Sequence, residues 1–152
     1  MPKPIEDAAL GRFTWDPENE YWLGTVAAAR HESAWLTVQV GPSERRAVLA
    51  LAREAVGRLG KLVSEARRFL AAELRKHRSP RASARGPRAI AKAVGQLALK
   101  SVNAQPDGVL DLVFGNEKVF RAVEFFIWFD RAGKRGIIVM DESQVAGESE
   151  AE

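Results

Sequence analysis

The chain has 152 residues, of which 46% are hydrophobic and 28% charged, with a formal net charge of +3 and no cysteine. That length suits one domain with a real core, and disulfide and thiol chemistry are excluded outright. No run approaches the ~20 apolar residues of a membrane span, and the opening MPKPIEDAALG lacks the basic-then-apolar form of a signal peptide, so a cytoplasmic location is expected.

Residues 1–9 read as a loose lead-in. From Leu10 to Asp16 the pattern has period two, with Leu10, Arg12 and Thr14 on one side and Gly11, Phe13 and Trp15 on the other. Asp16-Pro17-Glu18-Asn19-Glu20 is turn-like, with proline where type I turns favour it. YWLGTVAA over 21–28 then reads as a second strand and SAWLTVQV over 33–40 as a third. In the third, Trp35, Thr37 and Gln39 oppose Ala34, Leu36, Val38 and Val40, the alternation of a half-exposed strand. Gly41-Pro42 ends this first antiparallel meander.

Residues 43–77 carry a helical stripe at Val48, Ala52, Val56, Leu59, Val63, Ala66 and Leu70, widened by Leu49, Leu62, Phe69 and Leu74. Ser43 suits the N-cap, and Arg75, Lys76 and His77 crowd the last turn, where cations favour the dipole. A straight helix of this length would run roughly 50 Å at ~1.5 Å per residue. A small domain cannot cover that, so the helix either bends or breaks near Gly57–Gly60, or one end projects.

Residues 78–88, RSPRASARGPR, have the composition of a flexible basic linker, and Pro87 opens a short helix that Gly95 closes. The period then returns to two. Strands are expected around Leu97–Leu99, at Val109–Phe114, within Val119–Phe129 and at Gly136–Met140, separated by turns at Gln105–Gly108, Gly115–Glu117 and Arg131–Lys134. The acidic end, 142–152, reads as a disordered tail. The expected fold is α+β: an antiparallel meander, a central long helix, and a second four-strand antiparallel meander. They form one domain over 10–141, with the strands in a shared antiparallel sheet or two small packed sheets and helices covering one face.

The charge is unevenly spread. Ser43–Lys100 holds 15 basic and 4 acidic residues, whereas the remainder holds 8 basic and 16 acidic. Internal complementarity, or self-association of basic helices with acidic sheets, accounts for this; an acidic partner such as nucleic acid is the alternative. Arg75, Lys76, Arg78, Arg81, Arg85, Arg88 and Lys92, with no acid among them, are the residues that would contact phosphates. Aromatics are not interleaved with them, as a single-strand binder would favour.

Trp15, Trp22, Trp35 and Trp128 are the candidate recognition aromatics, against the simpler reading that they pack the core. The two histidines, His31 and His77, have no metal-ligand partner spacing, and no serine has an identifiable base and orienter. No cofactor motif is present. A hydrolase-like site would require Asp16, Asp111, Glu124 or His31 to converge, whereas the carboxylates have Arg12, Lys100 and Arg121 as simpler partners.

Phe13, Trp15-Asp16, Trp22 and Gly24 in the first strand block, with Pro106-Asp107-Gly108 and Phe120 in the second, resemble the DUF2262 family of uncharacterised bacterial proteins. The likeness would span about residues 10–140. Where that family commonly has a Gly-His pair before the final strand, this chain has Arg121-Ala122, so no role of that histidine carries over. The resemblance implies a strand–helix–strand order and no assigned activity. Taken together, the sequence points to a binding or protein-interaction module, with self-association or a protein partner favoured over nucleic acid.

Overall fold

A computed structural model describes residues 3–29, 32–39, 45–76, 87–116 and 118–141. The linker arginines Arg78, Arg81 and Arg85, both histidines and the acidic tail lie outside these residues. The first strands are β1 (Ile5–Asp7), β2 (Gly11–Asp16), β3 (Tyr21–Ala29) and β4 (Glu32–Val38). Helices α1 (Arg45–Gly57), α2 (Leu59–Lys76) and α3 (Pro87–Gly95) follow. The chain then forms β5 (Ala98–Ala104), β6 (Leu110–Gly115), β7 (Val123–Phe129) and β8 (Arg135–Asp141).

The eight strands form a single sheet in chain order. Both meanders are antiparallel throughout, and they join where β4 runs parallel to β5, pairing Trp35 with Ser101 and Val38 with Ala104. Parallel neighbours need a long crossover, and α1–α3 are that crossover. The shared sheet is therefore mixed and not antiparallel throughout as expected, and the helices lie together on one of its faces.

Alternation along each strand decides what that face contains. Phe13, Trp22, Leu36, Val102, Leu112 and Ile127 point toward the helices and are buried, as are Phe114 and Phe125. From α1 the core receives Val48, Leu49, Ala52 and Ala55, and from α2 Leu59, Leu62, Ala66, Leu70, Ala71 and Leu74. Val56, Val63 and Phe69 are only partly buried. The seam therefore runs through Ala55 and Leu62 rather than through Val56 and Val63. The joint falls at Arg58, between α1 and α2. Hydrogen bonds from the Arg58 N–H to Glu54 O (3.2 Å) and from the Leu62 N–H to Arg58 O (3.0 Å) bracket it, so the axis is interrupted without losing the ladder on either side.

The stretch read as a loose lead-in contains β1, with Ile5 buried and paired with Phe13. Three residues are too few to display a period. What fixes them is the Asp7 carboxylate, which accepts the N–H groups of Ala9 (2.9 Å) and Leu10 (3.0 Å) and the Nε of Arg53 on α1 (2.9 Å). The Arg53 hydrogen bond, helped by the two backbone donors and opposed by desolvation, holds the Asp7 carboxyl below its ordinary range.

Two hairpins close in the same way. In the β5–β6 loop the Gly108 N–H reaches Gln105 O at 3.0 Å, and in the β7–β8 loop the Gly133 N–H reaches Asp130 O at 3.2 Å. Gly108 and Gly133 have φ of 86° and 84°, the left-handed conformation that three-residue hairpin loops require.

Candidate binding surface

The helices cover one face of the sheet; the opposite face carries the side chains of the other parity. Cross-strand pairing orders them into rows. One row runs Thr25, Trp35, Ser101, Val113, Phe126, Ile138. The next runs Leu23, Thr37, Asn103, Asp111, Trp128, Gly136. Tyr21, Leu23, Trp35, Thr37, Ser101, Asn103, Val113 and Phe126 line a shallow groove of about 440 Å³, with Gln39, Lys100 and Glu124 also on its wall.

Trp35 stands 55% exposed on this face, and at the β8 edge Ile138 (53%) and Met140 (45%) are comparably bare. A row of apolar side chains left in water on an otherwise well-packed protein is the usual mark of a contact surface. Thr37 is the buried polar residue beneath it, 7% exposed, and its hydroxyl donates to Asn103 Oδ1. Gln105 Nε2 donates to Asp111 Oδ2 farther along. Desolvation raises the Asp111 pKa, with a smaller push from Asp107, and the Gln105 hydrogen bond opposes it. Thr37 and Asn103 thus place an internal hydrogen bond in the groove, beside the aromatic side chains of Tyr21, Trp35 and Phe126.

The four candidate tryptophans divide between the faces. Trp22 is buried on the helix side, with the Arg45 guanidinium 5.8 Å from its ring centroid. Trp15 packs edge-on against it at 5.3 Å, so both belong to the core. Trp128 lies on the open face but is pressed onto the next strand: a Cβ at Gly136 would stand 2.5 Å from its ring. Trp35 alone of the four presents most of its surface to solvent. Phe126, Ile138 and Met140 extend its patch. Ile138 and Met140 were legible only as members of an apolar run, because the sequence does not mark which parity faces the helices.

The carboxylates do not share a cleft. Asp16 on β2 lies four strand spacings from Asp111 on β6, about 19 Å, and Glu124 sits opposite Gly115, about 13 Å along the sheet from Asp111. Each has a local partner. Asp16 accepts Asn19 Nδ2 at 2.9 Å and the Glu18 N–H at 3.0 Å, and the Asn19 hydrogen bond leads in lowering its pKa. Glu124 pairs with Lys100 at 3.5 Å. Among the described residues, no three histidine or carboxylate side chains gather as a metal site.

Of the basic set, Arg75 and Lys76 end α2 and Arg88 and Lys92 lie on α3; all four are exposed, and the two helices pack on each other. A second cleft, about 640 Å³, opens between the α1–α2 joint and the hairpin loops near Gly108 and Gly133. Its charged wall has three of each sign, Glu54, Glu65 and Asp130 against Arg58, Arg131 and Arg135, so it favours no ligand charge. No described helix is long and apolar enough to cross a membrane.

No family model, curated protein or solved structure matches this chain. These comparisons do not tie the chain to the DUF2262 family, whose resemblance rests on the short motifs quoted above alone. Within the fold one of those motifs has a packing explanation: Phe13 lies over Gly24, whose Cβ position is 3.0 Å from the ring.

Proposed function

We propose that this chain is a non-catalytic binding module that receives a protein partner on the open face of its sheet. The observation that supports this reading is Trp35, more than half exposed in a groove that is also lined by Leu23, Val113 and Phe126. An aromatic anchor with a polar rim is the arrangement that carries most of the energy in protein interfaces. Here Tyr21, Gln39, Lys100 and Glu124 supply the rim. The partner would place an apolar side chain between Trp35 and Phe126 and satisfy its own polar groups at that rim.

Affinity capture from an extract of the source cells, with the wild-type chain and Trp35→Asp as baits, tests the reading. Proteins held by the wild type are expected to be lost from the variant, whose circular dichroism should show the fold retained because more than half of the side chain is exposed. Identical retention by both baits would overturn it.

A second reading, contact with nucleic acid, draws on the exposure of Arg75, Lys76, Arg88 and Lys92 on two packed helices. Phosphate contacts of this kind bind without sequence preference and weaken steeply with salt. A chain that binds neither generic DNA nor generic RNA at low salt would sink it.

A further inference from the structure

We infer that β8 is a self-pairing edge that joins two copies of this chain about a two-fold axis at Ile138. This inference uses the backbone edge of β8, whose Ile138 and Met140 adjoin the Trp35 patch but do not line the groove, and it does not rest on the groove. Among the described residues β8 has β7 on one side and no strand on the other. Its seven residues pair with β7 in unbroken register, with no bulge. Gly136–Met140 contains no charged residue and no proline. Natural sheet edges are ordinarily protected by such features, because an unprotected edge offers its outward N–H and C=O groups to any other strand. Ile138 and Val139 are each 53% exposed. They point to opposite faces, so the strand is bare on both sides at these two positions, although Ile137 packs against the core.

The sequence of β8 specifies what fits there. A two-fold axis perpendicular to the sheet must match residues that share a face. Among such antiparallel registers, only the one centred on Ile138 pairs all seven residues of β8. It places Ile138 against the second copy's Ile138, and Ile137 against the second copy's Val139. At each end Arg135 falls at the position opposite the second copy's Asp141, so residues of opposite formal charge terminate the ladder. Met140 falls opposite the second copy's Gly136, where the absent side chain is replaced by the Trp128 ring lying over it. A methionine on an aromatic ring is a favourable contact. The opposite edge of the sheet, β1, has three residues and cannot match β8 in length. The contact therefore closes at two copies rather than extending into a filament.

Sedimentation of the full chain across a concentration series tests the association, and single cysteines map the register, since the native chain has none. Directly opposed Cα atoms lie about 4.5–5.5 Å apart, within reach of a disulfide. Ile138→Cys is expected to yield a covalent dimer under mild oxidation. Val139→Cys alone is not, because its own counterpart is offset by two residues, roughly 8 Å away. A mixture of Ile137→Cys and Val139→Cys chains is expected to cross-link. Ile138→Lys opposes like charges on the axis and should weaken the dimer by about tenfold or more. A monomer at every soluble concentration would overturn the inference. So would a dimer that cross-links through Trp35→Cys and not through Ile138→Cys, which would place the contact on the open face.

Discussion

Asp111 shares a row with Thr37 and Asn103 on the sheet's open face, and burial raises its pKa above the ordinary value of 3.8. The folded chain therefore takes up this proton before the unfolded chain does. The ionised carboxylate thus costs stability at neutral pH, and the cost is relieved as the pH falls through the folded-state value toward 3.8. Asp111→Asn should raise the melting temperature at pH 7 by at most about 4 °C, since the group is only partly desolvated. The gain should shrink as the pH approaches 4. A variant equally stabilised at both pH values would show that the carboxylate's charge is not the cause. At this scale some of the surface was legible from sequence. The strict alternation of Ala34, Trp35, Leu36 and Thr37 separated an outward tryptophan from an inward leucine. Tyr21, Trp22 and Leu23 are all bulky, so nothing there indicated that Trp22 is the inward residue. Its place depends on the pairing with Trp15 across β2–β3.

The helical elements follow from the strongest periodicity in the chain, and α3 runs from Pro87 to Gly95 as the proline-first, glycine-last pattern implies. The long helix is interrupted one residue past Gly57, within the Gly57–Gly60 span where the sequence allowed it to bend or break. The glycines are nevertheless not sterically required there. A Cβ at either position meets nothing within 4 Å, and neither residue has a positive φ. Gly57→Ala with Gly60→Ala should therefore stabilise the protein by up to about 1 kcal/mol per site, through a less flexible unfolded chain and better helix propensity. Denaturant midpoints would measure the gain. A loss of stability would mean that the joint needs more freedom than alanine allows. β1 escaped sequence reading for the opposite reason. Its position is set by Asp7 and Arg53, residues far apart in the chain, and not by a pattern of its own.

At the scale of the molecule, both meanders and their hairpin turns were readable, whereas the seam between them was not. β4 and β5 join residues as far apart as Thr37 and Asn103, 66 positions along the chain, and no local signal marks such a pair. The other strand pairs connect neighbours in sequence. Closing the seam carries the largest loop entropy in the sheet, so it should limit the rate of folding. Leu36 and Ile127 are both fully buried, one at the seam and one between hairpin strands. Leu36→Ala and Ile127→Ala should each cost about 2–5 kcal/mol. In stopped-flow refolding, Leu36→Ala should slow the folding arm while Ile127→Ala mainly speeds unfolding. Equal slowing by both would place the barrier elsewhere.

Strand order that follows chain order also has a mechanical side. The N-terminal strand and the C-terminal strand occupy opposite edges of the sheet. Tension on the two ends is therefore applied across the strands, and it peels them outward from each edge. Hydrogen bonds then yield a few at a time, not together as they do when strands are sheared lengthwise. Under such tension the sheet should yield first at β1 and β8, and the parallel seam at its centre last.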